Sequence, residues 1–162
     1  MMDTLAERLE PLRRRLVATA RHVRGARVLI DAIYGVGPLN ALALCSWLGG
    51  AGRFSSSRKA VRFTGLDITV HSLRHQTQPR PAAPAGTGGA ALAAVRSGQD
   101  LGPQLCPGHR YYTEVTDRYD ANRATLSQAR RIVRQAVYLL TDLGEDTFTI
   151  IAQPAAPTMV TR

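Results

Sequence analysis

The sequence predicts a mainly α fold with a loose middle segment and one short strand. Three observations predict it. Apolar residues recur at steps of three, four and seven over several stretches, the signature of one helix face. Glycine and proline sit between those stretches, where they end one helix and open the next. Hydrophobic residues make up 44% of the 162 positions but aromatic residues only 6%, so the core has to be assembled from Leu, Val, Ile and Ala. That length suits one domain of ordinary size and excludes a multidomain enzyme.

The first element is an N-terminal coiled helix over 1–25. Leu5, Leu9, Leu12, Leu16 and Val23 form its stripe, with Arg13 to Arg15, Arg21 and Arg24 on other faces. Pro11 interrupts this pattern, so either the helix starts near Pro11 or a short helix kinks there. Gly25 reads as its stop. A second helix over Ala26 to Ile33 ends at Tyr34-Gly35.

The turn Gly35-Val36-Gly37-Pro38 follows, and then Leu39, Leu42, Ala43, Ser46, Trp47 and Leu48 at helical spacing, closed by Gly49 and Gly50. The glycines permit unusual backbone angles and the proline suits a helix's first turn. Together they make a helix-hairpin-helix core over 26–72. Ser55, Ser56 and Ser57 can cap a third helix through Phe63, with Arg58, Lys59 and Arg62 on its polar side. Gly65 to His71 carries β-branched residues behind a glycine and reads as the short strand.

The window from Ser72 to Gly108 holds five of the nine prolines, six of the fourteen glycines and seven alanines, with no aromatic residue. Its reading is a loose Pro/Gly/Ala-rich segment over 73–108, without a packed core. Helical pattern returns over 109–146. A helix from His109 to about Tyr119 is followed by a long one that Asn122 caps, with Leu126, Ala129, Ile132, Val133, Ala136, Val137 and Leu140 as its stripe and Gly144 as its end. The tail, 147–162, reads as frayed.

Charge narrows the function. Lys and Arg number 21 against 12 Asp and Glu, a formal charge of +9, and residues 1–62 alone carry 11 basic and 4 acidic side chains. A polyanion such as DNA or RNA is the expected partner, with an N-terminal footprint. All but Lys59 of these cations are Arg, which also fits a GC-rich coding sequence. Cys45 and Cys106 do not form a disulfide framework, no apolar run reaches membrane-spanning length, and Arg13 to Arg15 precede no signal core. The expected setting is cytoplasmic, with no membrane.

The G-x-G turn between two helices can aim backbone N–H groups at a phosphate, so Gly35, Val36 and Gly37 are candidate nucleic-acid contacts, with Arg53, Arg58, Lys59 and Arg62 neutralising further phosphates. A sharp turn without ligand accounts for the same residues equally well. A phosphate-loop NTPase is excluded because no G-K-[ST] follows. His71 and His75, and Cys106 and His109, have zinc-like spacing, but scattered surface histidines are the favoured reading and no metal site is expected. Asp67, Asp100 and Asp117 share no frame for two-metal chemistry.

Ile33 to Leu44, then Arg53 to Lys59, then Phe63 to Asp67 closely resemble the C-terminal domain of bacterial insertion-sequence transposases of the 110/116/902 type. The family pattern runs P-G-[IV]-G-P-x-T-A-x-x-L, R-F-x-S-x-R, then G-L-D or G-L-x-P. Tyr111-Tyr112, Asn122-Arg123-Ala124, Leu126, Ala129-Arg130 and Arg134 resemble its helical end, so coverage is about 5–72 and 109–146. The resemblance implies DNA transposition and recombination by an enzyme with an N-terminal nuclease domain that binds Mg²⁺ through acidic residues, a C-terminal serine that joins DNA, and a guide RNA.

Ser72 stands at the serine's position and would attack a phosphodiester as nucleophile. The chain departs from the family in two respects. The nuclease domain is not in this sequence, and 73–107 looks like frame-shifted translation where the family has a helix G-x-x-x-L-R-x-x-L. The expectation is a C-terminal transposase fragment that binds DNA, is inactive alone, and self-associates as a homo-oligomer through its N-terminal helix. The alternatives are a non-catalytic helix-hairpin-helix DNA-binding protein, and an inert product unfolded around the disrupted segment.

Overall fold

The computed structural model describes residues 2–66, 88–99 and 107–151, with side chains from residue 7 onward. The helices are α1 (Met2–His22), α2 (Arg24–Ala32), α3 (Pro38–Leu48), α4 (Ser57–Phe63), α5 (Gly88–Gln99), α6 (His109–Arg118) and α7 (Ala121–Leu143), with short 3-10 turns at Ala51–Arg53 and Gly144–Phe148. The fold is mainly α. Among the described residues the one extended pairing is an isolated antiparallel bridge between Val23 and Ile150. Helix α7 is the axis: α4, α5 and α6 pack on it, α3 lies against α5 and α2, and α1 lies against α2 and α3.

The core is aliphatic, as the composition requires. Leu29, Leu44, Leu48, Ile132, Val133 and Leu140 are fully buried, and no aromatic ring joins them among the buried residues. Phe54 and Phe63 pack on the rim, with ring centroids 5.4 Å apart. On α7 the buried set Ala129, Ile132, Val133, Ala136, Val137 and Leu140 is the stripe read from the sequence.

The described boundaries correct several expectations. Helix α1 runs through Pro11, which is exposed, so the carbonyl that loses its N–H partner there can turn to water. Gly25 does not stop a helix but lies inside α2. A Cβ there would sit 2.8 Å from both the Thr147 Cγ2 and the Thr147 carbonyl oxygen and 3.2 Å from the Cys45 sulfur, so this glycine permits a close crossing. The cap of α7 is Asp120, not Asn122: the Arg123 N–H donates to Asp120 Oδ1 at 2.7 Å from an extended Asp120 backbone.

The largest correction concerns 73–108. Residues 88–99 form α5, which packs against both α3 and α7. Its buried residues Ala90, Ala93, Ala94, Ser97 and Gly98 recur at i, i+3, i+4, i+7 and i+8, a full helical stripe composed of small side chains. A Cβ on Gly89 would collide with the Trp47 indole, and one on Gly98 would meet the Thr125 carbonyl at 3.0 Å. Small residues here bring backbones together, whereas the composition alone suggests a segment with nothing to bury. The unfolded middle expected of an inert product does not hold for 88–99.

The tail is ordered further than expected. Thr147 is buried and its hydroxyl donates to the Gly144 carbonyl at 2.8 Å. The Arg24 N–H donates to Thr149 O at 3.0 Å, and the Ile151 N–H donates to His22 O at 2.7 Å. Of the expected strand over 65–71, only Gly65 and Leu66 are described, and Gly65 is a turn residue with φ of 78°. The rest of that strand lies outside the described residues.

Candidate nucleic-acid interface

Helix α2 ends at Ala32 and is capped by the extended Ile33, whose N–H still donates to Leu29 O. Tyr34 points outward, and Gly35 then takes φ of 83°, a conformation that costs an L-residue about 1–2 kcal/mol. This reversal drives Val36, 4% exposed, into the core as a plug, with its N–H donating to Ile33 O at 3.3 Å. Gly37 becomes the cap of α3 in an extended conformation, and Pro38 takes the first helical position. The sequence thus places a rigid turn directly ahead of a helix N-terminus.

The ladder of α3 opens with Ala41 N–H donating to Gly37 O at 2.9 Å. Ahead of it, the first-turn N–H groups have no partner within the helix, and Pro38 has none to offer. This end of α3 borders a cleft of about 610 Å³ where three helices meet: Arg13 and Val17 come from α1, Gly37 and Asn40 from α3, and Arg96 and Gln99 from α5. No heavy atom lies within 4 Å of where a Gly37 Cβ would stand, so the backbone can be approached closely. Asn40 Nδ2 donates to Ser97 Oγ at 3.0 Å and fixes α5 against the mouth. Arg13 holds Glu10 only at 3.8 Å with both side chains largely exposed, and Arg96 forms no ion pair among the described residues. Helix dipole and two guanidinium groups therefore act on the cleft with the same sign.

The residues expected to form one site separate into two groups. Of Gly35, Val36 and Gly37, Gly37 alone lines this cleft; the Val36 side chain is buried and its N–H is already donated to Ile33 O. Arg53 lies at the opposite end of α3, about 15 Å away along the helix. There its guanidinium donates to Trp47 O at 2.9 Å and stacks 4.6 Å from the centroids of both Phe54 and Phe63, so it is a structural clamp. Arg58, Lys59 and Arg62 are exposed on α4, which Ser56 caps by accepting from the Lys59 N–H at 3.4 Å. None of the three lines the cleft.

Sequence reasoning missed Arg96, because its segment read as loop; the Ala90, Ala93, Ala94 spacing is the signal that could have placed it on a helix. It also gave Arg13 no role beyond a polar face. Ser72, His71, His75 and Cys106 lie outside the described residues. His109 is described, and its ring sits 3.3 Å from the Thr113 hydroxyl. Among the described residues no group of three His, Cys, Asp or Glu side chains converges on a point that could hold a metal. Cys45 is fully buried, and desolvation pushes its thiol up to about 12.

No family model matches this chain, and neither a curated protein nor a solved structure matches it. No helix among the described residues is long and apolar enough to cross a membrane.

Proposed function

We propose that this chain binds duplex DNA without regard to sequence, as the helix-hairpin-helix part of an insertion-element transposase. The observation that carries the binding reading is the turn itself: Gly35 at φ 83° and an open Gly37 set the N-terminus of α3 into a cleft between Arg13 and Arg96. Backbone N–H groups would take one phosphate oxygen and the guanidinium groups its neighbours. The transposase context rests on the motif resemblance, and so does a nucleophilic role for Ser72. DNA is the partner proposed for the cleft, with a guide RNA implied by the family. Self-association through α1 belongs to the same proposal: Leu9, Leu12 and Leu16 are 59%, 53% and 48% exposed, and the acids Glu7 and Glu10 precede Arg13 to Arg15, so an antiparallel second copy would match charges.

The test is affinity for a labelled mixed-sequence duplex across a salt series. The logarithm of affinity is expected to fall linearly with the logarithm of salt. Arg13→Gln with Arg96→Gln should reduce that slope by about 1.8, at about 0.9 per phosphate. Gly37→Val should weaken binding while circular dichroism stays unchanged, and Ser72→Ala should leave binding intact. Slope and affinity unaltered by the cleft variants would overturn the reading.

A further inference from the structure

Outside the cleft, the solvent face of α7 carries a second pattern. Arg123, Ser127, Arg131, Arg134 and Tyr138 fall within an arc of about 80° at 3.6 residues per turn, opposite the buried Ile132 and Ala136. Three of the chain's five tyrosines collect along this line. Tyr119, in the turn before α7, is 64% exposed with the Arg123 guanidinium 5.3 Å from its ring centroid. Tyr111 reaches over from α6 through a hydroxyl contact with Ser127. Tyr138, also 64% exposed, accepts from the Ser57 hydroxyl at 3.4 Å, which brings Arg58 and Lys59 of α4 to the far end of the line.

Charge on this face has one sign between its ends. Asp120 holds Arg123 at 3.5 Å at one end, and Asp142 lies past Tyr138 at the other. No ion pair engages Arg131 or Arg134 among the described residues. Among the described residues the buried core contains no aromatic ring, yet tyrosine rings are exposed on the face that carries Arg123, Arg131 and Arg134. Phosphates alone would need only the cations. Exposed rings among cations suit a polyanion whose bases are free to stack, and a duplex keeps its base faces hidden.

We propose that the α7 face, from Tyr119 to Tyr138 and on to Arg58 and Lys59, is a binding track for single-stranded nucleic acid. It is separate from the duplex cleft and does not depend on that reading. Arginines meet the backbone, and Tyr119 and Tyr138 stack bases near the two ends, about 28 Å apart along the helix. Recognition is sequence-tolerant, because every base has a π-face.

The experiment titrates the full chain against a labelled single strand, made once as DNA and once as RNA, and against the matching duplex, by fluorescence anisotropy over a salt series. Tyr119→Ala and Tyr138→Ala should each weaken single-strand binding about tenfold and leave duplex binding unchanged, while the phenylalanine variants retain wild-type affinity. Arg131→Gln with Arg134→Gln should lower the single-strand salt slope by about 1.4. The tighter of the DNA and RNA arms identifies the natural strand. Arg13→Gln with Arg96→Gln should spare single-strand binding, so loss of the duplex reading leaves this one standing. Single-strand affinity indifferent to both tyrosines, with circular dichroism unchanged, overturns the proposal, as does equal loss of duplex binding in the alanine variants.

Discussion

Cys45 shows how a single buried atom sets a pH response. Its sulfur lies beneath the crossing at Gly25, where a Cβ would stand 3.2 Å away, and the residue has no exposed surface. Desolvation raises the thiol from 9.0 to about 12, so the native state keeps its proton where the denatured chain releases it. The contribution to stability is therefore complete below about pH 9 and is lost as pH rises toward 12. Urea midpoints compared between wild type and Cys45→Ala should differ by a constant amount at neutral pH, and the gap should narrow above pH 9. A gap independent of pH up to 12 would contradict the assignment. Arg53 gives a second lesson at this scale. Its sequence context suggests a phosphate ligand, yet the Trp47 carbonyl and two phenylalanine rings already occupy its guanidinium.

At the scale of elements, legibility followed side-chain size. Helix α7 could be read because Leu, Ile and Val mark its inner face, whereas for α3 the span could be read but not the face: its buried residues are Ala41, Leu44, Cys45 and Leu48, and of the expected stripe Leu39, Leu42, Ala43, Ser46, Trp47 and Leu48 only Leu48 is fully inside. Both ends could be read because Gly49 and Gly144 take φ of 55°. The α2–α3 hairpin was legible for the same reason. Helix α5 was not: its inner face is Ala90, Ala93, Ala94, Ser97 and Gly98, residues that a hydrophobic pattern barely weights although they permit the closest backbone approach. With α5 went one of the cleft's three walls, since Arg96 and Gln99 are on it. The expected cap at Asn122 was two residues off because Asp and Asn both suit that role and only geometry selects Asp120. Close packing also makes α5 sensitive. Gly98→Val should destabilise by about 1–3 kcal/mol in urea denaturation through contact with the Thr125 carbonyl and Ala129 N–H, whereas Leu92→Ala, at a position 62% exposed, should change stability by about 0.5 kcal/mol or less.

For the whole molecule, the notable feature is how differently the two halves of α1 are used. Its C-terminal end, at Ala20, joins the core, while Leu9, Leu12 and Leu16 lie on a face that nothing in the described chain covers. Sedimentation velocity should find self-association that weakens on Leu12→Gln and on raising salt, because the stripe is apolar and its flanks carry opposite charge. A monomer at every concentration would remove self-association from the proposal. The charge asymmetry of the sequence also resolves at this scale. Of the basic residues of 1–62, Arg13 lines the cleft, Arg53 clamps Trp47, Arg24 pairs with Asp146, and Arg58 and Lys59 are exposed on α4, so these five do not share one surface.

The pairing of His22 and Arg24 with Thr149 and Ile151 joins positions as much as 129 residues apart. During synthesis, the start of α2 must wait for its partners until the residues after α7 have been made. At ordinary ribosomal speeds that wait is on the order of 10 seconds, far longer than a helix needs to form. The junction between α1 and α2 is therefore born with an unclaimed N–H at Arg24 and an unclaimed carbonyl at His22, and its final geometry is set only once Thr149 and Ile151 have emerged.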